Sequence, residues 1–287
     1  MLKVSESIMA DLKLRQHSFY WGKRTYIMGI LNITPDSFSD GGQFNTLETA
    51  LIQARTLINS GADIIDIGGQ STRPGSQQIL FGEELNRVIP LIKLLRQETS
   101  IPISIDTTRA SVANAAIEAG ADLVNDISGG TFDSQMFTVV AKLKVPIILM
   151  HIRGNPQTMQ QLTGYTDLIG EVSQWLDNQL NLAIQAGIKR SHLIIDPGIG
   201  FAKTYSQNLE LLRRLSEFRS LGQPILVGVS RKRFIGHILQ ENNPRQRLWG
   251  TAAACCGAIS QSADILRVHD VAQIVDVALV ADAIWRS

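Results

Sequence analysis

The sequence predicts a single (β/α)8 barrel of the TIM type, with its active site at the C-terminal ends of the strands. Three observations predict it. Eight short runs rich in Ile, Val and Leu alternate with eight amphipathic segments. The phrase Ser60-Gly61-Ala62-Asp63 returns as Ala119-Gly120-Ala121-Asp122, each time just before a strand, as repeated βα units require. Every run ends, at the same end, in polar or charged residues, which cost a few kcal/mol each when buried without partners. A doubly wound open sheet is the alternative. It calls for a Gly-rich phosphate fingerprint after the first strand, and the sequence has none there.

The strands fall at residues 26–33, 63–67, 101–106, 123–127, 146–151, 193–196, 224–229 and 265–269. They show little polar alternation, as strands covered on both faces should. The helices fall at 46–60, 83–97, 109–118, 134–143, 166–186, 206–219, 245–260 and 271–285. In the first, Leu47, Leu51, Ala54, Leu57 and Ile58 share one face, and Gly61 follows as a stop. Pro90 predicts a kink or an early end in the second. Residues 1–18 are mixed and charged, and are expected to form a poorly ordered extension before a barrel spanning 19–287.

Composition narrows the function. The 287 residues are 44% hydrophobic and 18% charged, with a formal net charge of +1. Nothing suggests a nucleic-acid stripe. No apolar run reaches the roughly 18 residues of a membrane helix, and there is no signal-peptide core. The two cysteines, Cys255 and Cys256, are neighbours, and read as buried thiols of a reducing, cytoplasmic compartment.

The stretch IMGILNITPDSFSDGG, residues 27–42, shows the strand-end pattern most fully: an apolar run, then Asn32, then a Pro- and Gly-rich loop. The other ends supply Asp66 with Thr72 and Arg73, then Asp106, then Asn125 and Asp126, then Met150 and His151. Asp196 follows in DPGIGFAK, then Ser230, Arg231 and Lys232, then Arg267 and His269. Asp106, Asn125, Asp196 and Lys232 make a hydrogen-bonding pocket for a flat polar heterocycle, since a carboxylate can accept two parallel N–H bonds. Asn32, Arg73, Arg267 and His269 come from strands that a closed barrel makes neighbours, and suit a phosphate or diphosphate. Asn32 offers a neutral oxygen to Mg²⁺. His151 reads as a satisfied core histidine, and Asp66 and Asp126 as either structural or functional. Asp270 and Asp276 read as helix and surface charges.

Taken together, ILNITPDSFSDGG, DIGGQSTRPG, ISIDTTRASVANAAIEAGADLVNDISGG, LMHIRGNPQTMQ, IIDPGIGFAK, GVSRKRFIG and ILRVHDV resemble the dihydropteroate synthases of the pterin-binding family. The resemblance runs from about residue 19 to the C-terminus. It implies condensation of 6-hydroxymethyl-7,8-dihydropterin diphosphate with p-aminobenzoate, Mg²⁺ as cofactor and a homodimer. By motif, Asp106, Asn125, Asp196 and Lys232 would hold the pterin, and Ile127, Met150, Phe201 and Gly228 would line its slot. Arg267 would cover the ring and reach the diphosphate, with Asn32, Arg73 and His269. Phe38, Thr72, Arg73, Pro74 and Ser230 would shape the p-aminobenzoate site. Asp106, Lys232 and Arg267 would be catalytic. Gln70 departs from the family's usual Glu and changes the charge of its loop by one unit. Loss of diphosphate from a methylene on an electron-rich ring predicts an SN1-like step. The rivals are a methyltetrahydrofolate-binding methyltransferase, a non-catalytic pterin-binding paralogue and another phosphate-binding barrel enzyme. The first would not need the arginine–histidine set, and the second would be expected to lose either that set or loop residues.

Overall fold

The computed structural model describes residues 9–33, 43–71 and 75–286. Two short strands open it, β1 (Leu12–Leu14) and β2 (His17–Phe19), paired as an antiparallel hairpin. Among the described residues, eight parallel strands then build one sheet: β3 (Tyr26–Asn32), β4 (Ile64–Gly68), β5 (Ile103–Asp106), β6 (Leu123–Asp126), β7 (Ile147–Met150), β8 (Leu193–Asp196), β9 (Leu226–Val227) and β10 (Ile265–Val268). Their order is β8-β7-β6-β5-β4-β3-β10-β9. A parallel bridge between Ile195 and Ile225 joins the two ends, and the sheet closes into the predicted barrel.

Around it lie α1 (Gln43–Asn59), α2 (Phe81–Glu98), α3 (Ala110–Ala119), α4 (Met136–Leu143), α5 (Leu168–Gln185), α6 (Tyr205–Arg213), α7 (Arg233–Leu239), α8 (Leu248–Ser260) and α9 (Val271–Trp285). Three expectations need correction. Helix α2 does not end at Pro90 but runs on to Glu98, because Pro90 lies on the exposed outer face, where water can serve the freed carbonyl. The segment expected at 206–219 divides into α6 and a 3-10 stretch, Leu215–Leu221. The seventh unit carries α7 before α8; seven residues with a glycine inside give too short a period to read.

Alternate strand residues face inward, as the pleat dictates. Tyr26, Met28, Ile64, Leu123, Ile148, Ile194, Leu226 and Ile265 fill the lower half of the barrel. The hairpin seals that end: Leu12, Leu14, Phe19 and Trp21 pack on the same cluster, with the Phe19 and Tyr26 rings 4.7 Å apart. Over residues 9–18 the expected poorly ordered extension is thus corrected to a packed plug. The outward residues join the helices in a second, larger core.

The repeated phrase proves to be a register device. Asp63 accepts the amide of Ile27 at 2.8 Å, and Asp122 accepts that of Ile103 at 2.9 Å. Asp264 does the same for Ile225 at 2.8 Å, a third copy in which Ser262, at φ 70°, stands where Gly61 and Gly120 stand. Each carboxylate also meets an arginine: Arg24, Arg96 and Arg219 respectively. Each one fixes the start of a neighbouring strand, and so the height at which that strand delivers its last residue.

Truncating the plug should cost stability and leave the far rim intact. Phe19→Ala is expected to lower stability by about 3–5 kcal/mol, read as a fall in Tm, with kcat of the folded protein unchanged.

Candidate active site

Register decides which side chains meet at the open end. Gly68 pairs with Asp106, Asp106 with Asn125, and Met150 with Asp196 across adjacent strands. The inward parity that fills the floor with aliphatics therefore fills the mouth with Asp66, Asp106, Asn125, Asp196 and Arg267. All but Arg267 are buried. Arg267 joins the group: its Nε donates to Asp66 Oδ2 and its Nη2 to Asp106 Oδ2, both at 2.6 Å. Asn125 Nδ2 donates to the same Asp66 oxygen at 3.1 Å.

The opposite wall comes from the Asp196–Lys203 loop. Asp196 Oδ1 accepts the amide of Gly198 at 2.8 Å. Gly198 sits at φ 73°, and a Cβ there would lie 2.0 Å from the His151 carbonyl oxygen, so the turn is built for glycine. Lys232 Nζ donates to the Ile199 carbonyl and stands 4.8 Å from the centre of the Phe201 ring. Gly228 leaves open the space between them: a Cβ on it would meet Lys232 Nζ and Arg267 Cβ at 3.9 Å. Ile127 and Met150 pack together as an apolar side, with Phe201 against them.

Burial shapes the titration of these groups. It pushes the Asp106 carboxyl up to about 7; Arg267 pulls downward, while Asp66, Glu84 and Asp126 add to the rise. It also raises Asp196 above the ordinary carboxylate range, against Lys232 and the Gly198 amide. It brings Lys232 down to about 8, with Asp196 opposing and Arg267 assisting. Arg267, held by two carboxylates, keeps its charge despite its desolvation.

The second predicted set is placed in part. Asn32 Oδ1 and Asp106 Oδ2 lie 3.2 and 3.6 Å from the position a Cβ on Gly68 would take, so Asn32 borders the acid cluster. His269 Nδ1 lies 2.9 Å from Ser230 Oγ, two residues past Arg267 at the end of β10. Phe38, Thr72, Arg73 and Pro74 lie outside the described residues. Beside Asp106 and Ile127 opens a cavity of about 370 Å³, with Gln70, Thr107, Thr108 and Phe132 on its wall. Gln70 accepts the Ile79 amide there, at 3.4 Å. No cluster of three or more His, Cys, Asp or Glu side chains among the described residues could hold a metal.

The structure also places the remaining strand-end and loop residues. Asp126 is a loop brace: it accepts from Ser128 N, Ser128 Oγ and Gly130 N. His151 is a core histidine as expected, held neutral by burial and by the charges of Lys203 and Arg153, its pKa brought down to about 2. Asp270 is more than a helix charge, since Arg231 donates to it from two nitrogens. Lys203 was not singled out. It is buried, donates to the Phe201 carbonyl at 3.0 Å and lies 3.0 Å from His151 Nδ1, tying the loop to β7. A lysine closing a Gly-rich loop after a strand-end aspartate was the available signal.

Residues 28–269 match the family model described as pterin binding enzyme. A dihydropteroate synthase from Synechocystis is 59% identical over 284 residues, covering 99% of this chain and 98% of that one. A crystal structure of the dihydropteroate synthase of Clostridium difficile, in the presence of pteroic acid, superposes with a TM-score of 0.89 at 46% identity, over 94% of this chain and 100% of that one. The enzyme from Xanthomonas albilineans with 4-aminobenzoic acid gives 0.89 at 41% identity, over 96% and 97%.

The Gly198 turn offers a direct check on this geometry. Gly198→Ala forces a left-handed alanine against a carbonyl oxygen, and should lower stability by about 1–3 kcal/mol or more, measured by denaturant unfolding.

Proposed function

The chain belongs to the pterin binding enzyme family, and on that premise we propose how its barrel mouth carries out the chemistry. It is a transferase of folate synthesis with dihydropteroate synthase activity, joining 6-hydroxymethyl-7,8-dihydropterin diphosphate to p-aminobenzoate and releasing 7,8-dihydropteroate and diphosphate. The observation that carries the mechanistic reading is the Asp106–Arg267 pair: a buried carboxylate and a guanidinium in contact at the rim.

The pterin lies in the slot between Ile127, Met150 and Phe201. Its amino-pyrimidinone edge pairs with Asp196, Asn125 and Lys232, and its ring faces Arg267. Losing diphosphate from the exocyclic methylene leaves a cation delocalised into the dihydropterin. Asp106 lies against the ring, where that charge develops, in a desolvated setting that strengthens its effect. Arg267 turns from Asp106 to the departing diphosphate, joined by His269, Asn32 and Arg73. The amine of p-aminobenzoate then captures the cation. It is a weak base and needs no strong general base to activate it. Ser230, beside His269, forms one edge of the p-aminobenzoate site with Phe38, Thr72, Arg73 and Pro74.

Mg²⁺ fits the donor set as an ion bound largely by the substrate. Asn32 supplies one neutral oxygen, and a small hard cation commonly completes its shell with phosphate oxygens and water. Bound there, the ion would neutralise charge on the leaving diphosphate.

Two copies of the chain pair through the exposed apolar face of the last helices, where Trp249 is 78% and Leu279 66% exposed. A reducing, cytoplasmic setting fits the free thiols of Cys255 and Cys256. Among the described residues no helix is long and apolar enough to cross a membrane.

Following diphosphate release tests the activity and the electrostatic role of Asp106. Release is expected with Mg²⁺ and p-aminobenzoate, and Asp106→Asn should slow it by about 100-fold or more. Unchanged turnover in that variant removes the electrostatic role. The pH profile follows from the same groups. Asp106 must be ionised and Lys232 protonated, so kcat/KM for the pterin diphosphate should rise through about pH 7 and fall through about pH 8. Lys232→Arg should abolish the alkaline limb.

A further inference from the structure

Two aspartates at the strand ends, Asp66 and Asp126, look alike in sequence and are both fully buried. Their surroundings separate them. Asp126 has three donors spread over both of its oxygens, as a structural carboxylate should. Asp66 has two donors, both on Oδ2: Arg267 Nε at 2.6 Å and Asn125 Nδ2 at 3.1 Å. Its Oδ1 is buried with no hydrogen-bond partner. A buried carboxylate half-used in this way is expensive, and such a group calls for an explanation in function.

The explanation lies in what the used oxygen holds. Its two donors belong to two residues placed above at the substrate. Arg267 is meanwhile shared: its Nε goes to Asp66, and its Nη2 goes to Asp106 at 2.6 Å. These two contacts differ in what can replace them. Asp106 stands at the ring, where the substrate competes for it. Asp66 lies deeper: it is 0% exposed, against 5% for Asp106, and it pairs across the strands with the buried Ser104. A guanidinium anchored at Nε can swing its Nη pair from one acceptor to another without losing its place.

We propose that Asp66 is a positioning residue for the reaction, anchoring Arg267 by Nε and Asn125 by Nδ2 while Arg267 exchanges Asp106 for the leaving diphosphate. The inference rests on the role given above to Arg267 and deepens it. Without Asp66, Arg267 retains Asp106 as its sole described hydrogen-bonded carboxylate, and the exchange breaks that last anchor.

The test is a double-mutant cycle in steady-state kinetics. Asp66→Asn should lower kcat by about 100-fold, as a misplaced catalytic group does, with KM for p-aminobenzoate unchanged. In an Arg267→Gln background the same substitution should have little further effect, because its target is gone. A fully active Asp66→Asn beside a crippled Arg267→Gln overturns the proposal and leaves the role of Arg267 standing. A fully active Arg267→Gln overturns both. Independent, multiplicative losses also overturn the proposal, since a residue that acts apart from Arg267 gives that pattern. Should Asp66→Asn not fold, the unsubstituted protein decides. The ¹⁵N–¹H signal of Arg267 Nε, identified by its loss in Arg267→Lys, should exchange slowly with water before and after addition of 7,8-dihydropteroate and diphosphate. Fast exchange once they are bound overturns the anchoring role.

Discussion

Charge balance in a dry barrel mouth is the constraint on which the rest of the structure depends. Three acidic side chains, Asp66, Asp106 and Asp196, lie 6% exposed or less, with Lys203 at 3%. Arg267 and Lys232 complete the set from partly buried positions. An ion taken out of water costs several kcal/mol unless a partner repays it. The cluster is therefore stable as a whole, and each member sets the protonation of its neighbours. It is also poised. On the proposed mechanism, a substrate that develops positive charge at Asp106 and negative charge near Arg267 would substitute for the ion pair already there, so that reaction would preserve the balance that folding established.

The remainder of the fold serves to hold that cluster at one height. The aspartates at the strand bases, Asp63, Asp122 and Asp264, clamp the starts of neighbouring strands. The hairpin plug closes the lower end over an aliphatic floor. Because side chains alternate along a strand, a slip of one residue would turn Asp106 and Asn125 out toward the helices. Register errors are thus costly twice, in buried charge and in lost core.

Much of this was legible in the sequence. Eight aliphatic runs with polar ends give the barrel and its active face, because strands covered on both sides must be apolar until they reach the rim. What was not legible turns on parity and on distant partners. Asp126 follows Asn125 directly and so faces the other way, but parity in β4 is readable only once its pairing with β5 fixes which residues face inward. Asp66 could not be told from Asp126 without that register. Pairs such as Lys203 with His151, and Arg231 with Asp270, link loops that meet because their strands, β7 with β8 and β9 with β10, lie side by side. The hairpin escaped notice because three-residue strands carry little periodicity; the residues that would have revealed it, Leu12, Leu14 and Phe19, are separated by polar and charged ones. Pro90 misled because propensity says nothing of which helix face meets water.

The central claim, that the mouth stabilises a dihydropterin cation before the amine arrives, is tested most directly by the α-secondary deuterium isotope effect at the substrate's methylene. With saturating p-aminobenzoate and chemistry rate-limiting, a large normal effect is predicted, since that carbon rehybridises from sp³ toward sp² as diphosphate leaves. An effect indistinguishable from unity would mean that the amine attacks as the diphosphate departs, and would contradict this account.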